Sequence, residues 1–132
     1  MWHPAKYAEM LADKIHSHKA DAWLINTGWI GGSFGDGRRI SLAHTRAILD
    51  AIHSGELSKR EYETFPIFNL QIPTKCTGVP AEILHPEKSW KDERKFEETL
   101  KKLGQLFVEN FENYSERTTK DVISAGPKLP QI

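Results

Sequence analysis

The sequence lacks the features of secreted, membrane-spanning and nucleic-acid-binding proteins. Cys76 is the single cysteine among 132 residues, which excludes an internal disulfide and suits the reducing cytoplasm. The 18 basic and 18 acidic side chains leave no basic excess to attract nucleic acids or membrane surfaces. No apolar run approaches the roughly 18 to 20 residues of a membrane span, and the amino terminus carries no signal pattern. We therefore expect a cytoplasmic protein whose partners are neither nucleic acids nor membranes.

Clusters that would carry catalysis or bind a metal are also missing. The six histidines are scattered without a His-x-x-x-His pair, so no metal site is predicted. Carboxylates at 92–93 and 97–98 alternate with lysine and arginine, which is typical of a solvated helix face. Nothing resembles a catalytic triad, and Cys76 has no neighbours that would activate a thiol. The sequence therefore predicts no catalytic residue.

Hydrophobic periodicity predicts three main helices. The first covers residues 4–17 and begins at Pro4, and its abrupt start leads us to expect further chain before it. The second covers residues 42–53, with Ser41 as its N-cap and Gly55 as its left-handed stop. The third is a long amphipathic helix over 90–114, and its stripe predicts a buried face: Phe96, Leu100, Leu103, Phe107, Phe111 and Tyr114. Helical turns are predicted over 81–84 and 119–125.

Two segments have the composition of strands. Residues 22–26 form a continuous apolar run, which indicates a strand that is buried on both faces, although the chain offers few partners for it. Residues 67–72 alternate between apolar and polar side chains and are flanked by prolines, which favours a short edge strand or extended segment. We therefore predict a helix-rich α/β fold with a small sheet built on residues 22–26, as a single partial domain over 1–132.

A glycine-rich turn lies between the first predicted strand and the second predicted helix. Five of the ten residues from 28 to 37 are glycine, and Arg38 and Arg39 follow directly. A strand, a glycine-rich loop and a helix amino terminus together expose backbone N–H groups that favour an anion. The turn lacks the Gly-Lys-Ser/Thr of a Walker A loop and the acidic residue expected after a Gly-x-Gly-x-x-Gly turn. On these residues alone, a nucleotide site and a flexible loop with solvated arginines both stay open.

The order of short motifs along nearly the whole chain resembles ATP-dependent phosphoenolpyruvate carboxykinase. The motifs are Asn-Thr-Gly-Trp at 26–29, Gly-Gly at 31–32, Gly-Arg-Arg-Ile-Ser at 37–41, Thr-Arg-Ala at 45–47, Pro-Ile-Phe-Asn-Leu at 66–70, Ile-Leu-His-Pro at 83–86, Phe-Val-Glu-Asn-Phe at 107–111 and Ala-Gly-Pro at 125–127. The family converts oxaloacetate and ATP to phosphoenolpyruvate, carbon dioxide and ADP in gluconeogenesis, using Mg²⁺ and Mn²⁺. Its active site lies in the cleft between an amino-terminal domain and a mononucleotide-binding carboxy-terminal domain.

The resemblance implies a nucleotide-binding role for three residues. Arg39 is expected to lie against the adenine of ATP, Ile40 to pack on the base, and Thr45 to form a hydrogen bond to the nucleotide. The family's phosphate-binding loop, metal ligands and oxaloacetate-binding arginine all lie upstream of the matching segment. The resemblance therefore implies a carboxy-terminal, nucleotide-contacting segment whose partner is the rest of the enzyme, and which alone is not a catalyst.

Two other hypotheses remain open for the chain. It could be a stand-alone, non-catalytic binding module that forms a homodimer through the orphaned strand at 22–26, because an exposed strand edge invites pairing. It could also be an inert fragment, which would show low thermal stability and no response to ligand.

Overall fold

Helices account for most of the regular structure in residues 2–33 and 35–130, the part of the chain that the computed structural model describes. Short 3-10 turns lie at Leu57–Lys59 and Pro86–Ser89. The helices are α1 (Pro4–His18), α2 (Leu42–His53), α3 (Ala81–Leu84), α4 (Glu93–Ser115) and α5 (Lys120–Ser124). All five predicted helical segments are confirmed. None of the helices in the described ranges is long and apolar enough to cross a membrane.

Capping side chains explain where the helices begin and end. The Ser41 hydroxyl oxygen accepts a hydrogen bond from the His44 N–H at 3.2 Å, as expected for an N-cap, and Gly55 has a φ of 71° after the end of α2. The α4 helix begins later than predicted because the Asp92 carboxylate caps it, accepting from the Arg94 N–H at 3.0 Å and the Lys95 N–H at 3.3 Å. Local capping chemistry therefore sets these boundaries.

The strands form two small antiparallel sheets of two strands each. The first joins β1 (Trp29–Ile30) to β2 (Arg38–Arg39), and the second joins β3 (Tyr62–Thr64) to β4 (Gln71–Pro73). The predicted strand over 67–72 is confirmed only at its end, because Ile67 has a φ of 66° and lies in a turn. The fold is thus helix-rich with two minor sheets.

The prediction of a buried strand over residues 22–26 is wrong. The segment has no regular secondary structure and pairs with none of the described strands, and the Leu24 side chain is 86% exposed. A buried strand needs neighbours on both edges for its backbone N–H and C=O groups. None of the described strands lies beside it, so the small sheets are built elsewhere.

The central core lies between α2 and the loop that precedes α3. Ala51, Leu57 and Cys76 are buried at its centre, and partly buried side chains surround them: Trp23, Ile48, Ile52, Val79 and Leu84. Burial raises the pKa of the Cys76 thiol, and the neighbouring Glu56 carboxylate adds to that effect. The thiol is therefore held in its neutral form, as an apolar core group.

Two residues of the long helix α4 are buried in the described ranges. Phe96 is buried against Trp90 and Phe65, with ring centroids 5.7 and 6.4 Å away. Gly104 is also buried, and a side-chain carbon there would lie 2.8 Å from the Ile67 Cγ2 methyl. This glycine therefore lets the helix approach the turn at 66–68.

The prediction of a continuous buried stripe on α4 is wrong in the middle of the helix. Leu103 is 43% exposed and Phe107 is 55% exposed, although Phe107 makes an edge contact with Phe68 at 5.3 Å. The turn at 66–68 and residues 127–129 cover only part of this face. Alanine at either position therefore removes less buried surface than the periodicity implied.

Glu56 links the turn after α2 to the loop before α3. Its Oε1 atom accepts hydrogen bonds from the Arg60 guanidinium at 2.6 Å, the Thr77 hydroxyl at 2.8 Å and the Thr77 N–H at 3.1 Å. The hydrogen bond from Arg60, followed by those from Thr77, holds the pKa of the Glu56 carboxyl below the usual 4.5. The ionised form is therefore the one that the fold stabilises.

Replacing Glu56 with glutamine should lower the melting temperature near neutral pH. Because the pKa is lower in the folded chain than in the unfolded chain, the stabilisation is present above pH 4.5 and is lost as the pH falls through the folded value. The difference in melting temperature between E56Q and the unchanged protein should therefore become smaller below about pH 4. Thermal melts across this range, with exposed Glu116→Gln as the control, test the prediction. A difference that stays constant with pH would contradict it.

Candidate functional site

The glycine-rich segment folds as a β-hairpin. Trp29 lies opposite Arg39 and Ile30 lies opposite Arg38 in the antiparallel register of β1 and β2. The Ser33 carbonyl accepts hydrogen bonds from the Asp36 N–H at 3.1 Å and the Gly37 N–H at 2.9 Å, closing the turn. The predicted order of strand, glycine-rich loop and helix is therefore corrected. A hairpin precedes α2, and the arginines lie in its second strand.

Gly37 is required where the two arms of the hairpin come together. A side-chain carbon at this position would lie 2.5 Å from the Gly32 carbonyl oxygen and 3.0 Å from that of Ile30. Both of these atoms belong to the backbone, so neither can rotate away. The hairpin therefore depends on glycine at position 37 for its close approach.

Replacing Gly37 with alanine should open the hairpin and destabilise the protein by about 1 to 3 kcal/mol, as overpacking usually does. The Ile40 N–H, which donates to the Gly28 carbonyl at 3.1 Å, should then exchange faster with solvent. Hydrogen exchange of that amide measures the effect, with Ser33→Ala as the control because it keeps the backbone acceptor. An unchanged exchange rate in G37A would show that the close approach is not needed.

Arg39 is exposed and lies beside an aromatic ring. Its guanidinium carbon is 6.0 Å from the centroid of the Trp29 ring, at the outer limit of a cation–π contact. Arg38 is also exposed, and as the neighbouring strand residue it points to the opposite face of the hairpin. Within the described ranges, the structure therefore places Arg39 near a ring and gives the two arginines different surroundings.

Ile40 and Thr45 are held next to the hairpin by backbone hydrogen bonds. The Ile40 N–H bonds to the Gly28 carbonyl, and the Asn26 side-chain oxygen accepts from the Gly28 N–H at 2.9 Å. In the first turn of α2, the Thr45 N–H and hydroxyl both donate to the Ser41 carbonyl, at 3.1 and 3.3 Å. Ile40 and Thr45 are both half-buried, so their positions are fixed by the fold.

These three residues offer complementary chemistry on one stretch of chain. Arg39 supplies a planar cation, Ile40 an apolar side chain and Thr45 a hydroxyl whose oxygen has lone pairs left to accept a hydrogen bond. Arg39 is exposed, Ile40 and Thr45 are half-buried, and neither of two cavities in the described ranges is lined by these residues.

Sequence reasoning missed Trp29 as a possible part of this site. The ring could be connected with Arg39 only through the hairpin register, and the predicted strand at 22–26 concealed that hairpin. The five glycines followed by two arginines were the available signal, because a glycine-rich turn between short extended arms is typical of a hairpin.

Metal ligands do not come together in the described ranges. No group of three or more histidine, cysteine, aspartate or glutamate side chains there is arranged to hold a metal ion. Arg39, Ile40 and Thr45 carry a basic, an apolar and a hydroxyl side chain, which are poor ligands for Mg²⁺ or Mn²⁺ compared with carboxylates. The candidate site therefore does not supply the ligands that these metals prefer.

Comparison with known proteins gives consistent results. A family described as phosphoenolpyruvate carboxykinase matches residues 1–82. The phosphoenolpyruvate carboxykinase (ATP) of Dictyostelium discoideum is 54% identical over 131 residues, covering 99% of this chain and 23% of that protein. The Emericella nidulans protein of the same name is 57% identical, covering 95% of this chain and 21% of that protein. The Saccharomyces cerevisiae protein of the same name is 55% identical, covering 96% of this chain and 24% of that protein.

The chain spans about a fifth to a quarter of the length of these relatives. The similarity nevertheless extends over almost all of this chain, and the family match alone covers more than half of it. These matches confirm the resemblance seen in the sequence motifs, and the chain belongs to the ATP-dependent phosphoenolpyruvate carboxykinase family.

Proposed function

We propose that the chain is the carboxy-terminal, adenine-contacting segment of an ATP-dependent phosphoenolpyruvate carboxykinase. In this proposal residues 1–132 form a single partial domain, part of the mononucleotide-binding domain of a cytoplasmic enzyme. The observation that carries the proposal is that Arg39, Ile40 and Thr45 lie close together in the chain where the hairpin leads into α2, and that backbone hydrogen bonds hold Ile40 and Thr45 there. The family match provides the nucleotide for which this surface is suited.

In the proposal Arg39, Ile40 and Thr45 each make a different contact with the adenine. The exposed Arg39 guanidinium stacks on the adenine, since a delocalised planar cation pairs well with the face of a purine. Ile40 packs against the edge of the base, and the Thr45 hydroxyl oxygen accepts a hydrogen bond from the adenine amino group. Thr45 retains this capacity because its own proton is already donated to the Ser41 carbonyl.

The remainder of the enzyme supplies the reaction itself. The proposed parent reaction converts oxaloacetate and ATP to phosphoenolpyruvate, carbon dioxide and ADP, with Mg²⁺ and Mn²⁺ neutralising the phosphates. Phosphoryl transfer depends on positioned cations and metal ions around the phosphates. The described ranges contain no suitable metal cluster, so we place the metal ligands outside this chain and expect the chain alone to be inactive.

A stand-alone binding module is the alternative that one observation favours. The segment at 22–26 pairs with none of the described strands and exposes Leu24, so it could pair with the same segment of a second copy. In the enzyme-segment proposal the same surface contacts the rest of the enzyme instead. Measurement of the solution mass separates the two ideas, since a stable homodimer would favour the module.

The adenine contact can be tested on the chain itself by nuclear magnetic resonance. Titration with Mg-ATP should shift the amide signals of Gly28, Ile40 and Thr45 in the millimolar range, because the open surface covers only one face of the base. Arg39→Ala should reduce these shifts, whereas the matched variant Arg38→Ala should keep them. Shifts that are absent from this surface, or equal in both variants, would contradict the proposed contact.

A further inference from the structure

Ser41 is the sole serine or threonine in the sequence with arginine at both the third and the second preceding position. Arg38, Arg39 and Ser41 are exposed, and Leu42, directly after the serine, is 62% exposed. We propose that Ser41 is phosphorylated by a serine kinase that selects basic residues before its acceptor, and that the phosphate weakens ATP binding. The effect on ATP rests on the proposed function, whereas the modification itself does not.

The segment before Ser41 has the charge and shape that such a kinase recognises. Arg38 and Arg39 lie in an extended strand, and Ser41 is itself extended, with φ of −66° and ψ of 145°. Two guanidinium groups can pair with carboxylates in a peptide-binding groove, and guanidinium–carboxylate pairs are strong and geometrically specific. The exposed Leu42 side chain can enter an apolar pocket after the acceptor. Kinases discriminate among substrates by charge patterns of this kind.

The local structure leaves the segment available to a kinase. The strand that carries the arginines is held by two residue pairs, and isolated hairpins of this size are marginal in water. The Ser41 hydroxyl oxygen accepts one hydrogen bond, from the His44 N–H at 3.2 Å, and its proton is engaged by no hydrogen bond found in the described ranges. The Arg38 side chain forms no ion pair or hydrogen bond there either. Opening this segment breaks these contacts, the Ile40 hydrogen bond to Gly28 and the hydrogen bonds from Thr45 to the Ser41 carbonyl, all of which lie close together in the sequence.

The chemical step is a phosphoryl transfer from ATP bound to the kinase. The bond between the γ-phosphorus and the bridging β–γ oxygen breaks, and a bond forms between that phosphorus and the Ser41 Oγ atom. The hydroxyl proton passes to the base of the kinase, and ADP is the leaving group.

A phosphate on Ser41 would change the proposed adenine surface in two ways. It would add a charge of about −1.5 to −2 at the amino terminus of α2, where the helix dipole stabilises an anion. The phosphate would also attract the Arg39 guanidinium. In the unphosphorylated chain the carbon of this group lies 6.0 Å from the centroid of the Trp29 ring, and in the proposed function the group stacks on the adenine. Loss of that cation, with repulsion of the ATP phosphates, lowers the affinity for the nucleotide.

The modification is tested with the 132-residue chain and the catalytic subunit of cyclic-AMP-dependent protein kinase as an arginine-directed probe. Mass spectrometry should locate the phosphate on Ser41, with no label there in Ser41→Ala. Arg38→Ala should slow the labelling by about tenfold or more, as the loss of a recognised charge pair does. Ser33→Ala removes an exposed serine that has no preceding arginines, and it should leave the rate of Ser41 labelling unchanged. A phosphate elsewhere, or equal labelling in Arg38→Ala, would overturn the proposal.

The consequence is tested by titrating the phosphorylated and unphosphorylated chains with Mg-ATP. We expect the phosphorylated chain to bind about tenfold more weakly, similar to unphosphorylated Arg39→Ala. Equal affinity of the two forms would overturn the regulatory effect. Binding that is absent from both forms would overturn the effect together with the proposed autonomous adenine contact, while the phosphate on Ser41 would still establish the modification site.

Discussion

Replacing Leu57 with alanine is expected to lower the free energy of unfolding by about 2 to 5 kcal/mol, the range typical of large-to-small substitutions in a core. The Leu57 side chain is 1% exposed and packs with Ala51 and Cys76 at the centre of the main core. Its backbone carbonyl accepts a hydrogen bond from the Tyr62 hydroxyl at 2.8 Å, and that contact survives the substitution. The expected loss therefore comes from packing alone.

Urea unfolding followed by tryptophan fluorescence measures this effect, since Trp23 packs against the same core. Leu103→Ala is the matched control, because Leu103 is a leucine of the same size that is 43% exposed. The control should lose much less stability than Leu57→Ala. Equal losses in the two variants would mean that α4 is buried along its whole stripe, and that the core described between α2 and the following loop is not the centre of stability.

The helices of this chain could be predicted from the sequence because local chemistry determines them. Ser41 caps α2, Gly55 follows its end with a positive φ, and Pro4 begins α1. Each of these effects acts within a few residues of the chain. A helix boundary of this kind can therefore be predicted without knowledge of the tertiary structure.

The sheets could not be predicted in the same way, because pairing depends on residues outside each strand. Residues 22–26 have the composition of a buried strand, yet none of the described strands lies beside them. The stripe on α4 predicted burial from its period alone, whereas Leu103 and Phe107 are exposed. Periodicity shows which face of a helix is apolar, but only the neighbouring elements decide whether that face is covered.

The candidate site was only partly accessible to sequence reasoning. Arg39, Ile40 and Thr45 were identified through resemblance to a family, and the structure shows them on one short stretch between the hairpin and α2. The position of Trp29 beside Arg39 depends on the antiparallel register, which no local pattern encoded. Their contact with adenine stays a prediction.

Replacing Arg39 with alanine is expected to weaken ATP binding by about 1 to 2 kcal/mol, which corresponds to roughly five- to thirtyfold in affinity. The reason is the loss of a planar cation that we place on the face of the base. Arg38 is the matched control, because it has the same charge and the same exposed strand but points to the other face of the hairpin. A purely electrostatic attraction for ATP would affect both variants alike.

The most direct measurement uses a chimera in which this chain replaces the matching segment of the S. cerevisiae relative, to which it is 55% identical. The KM for ATP of carboxykinase activity is compared among the chimera and its Arg39→Ala and Arg38→Ala variants. The proposed function predicts an active chimera whose KM for ATP rises roughly five- to thirtyfold in Arg39→Ala and changes little in Arg38→Ala. An active chimera whose KM for ATP is the same in all three proteins would contradict the assignment of this surface to the adenine.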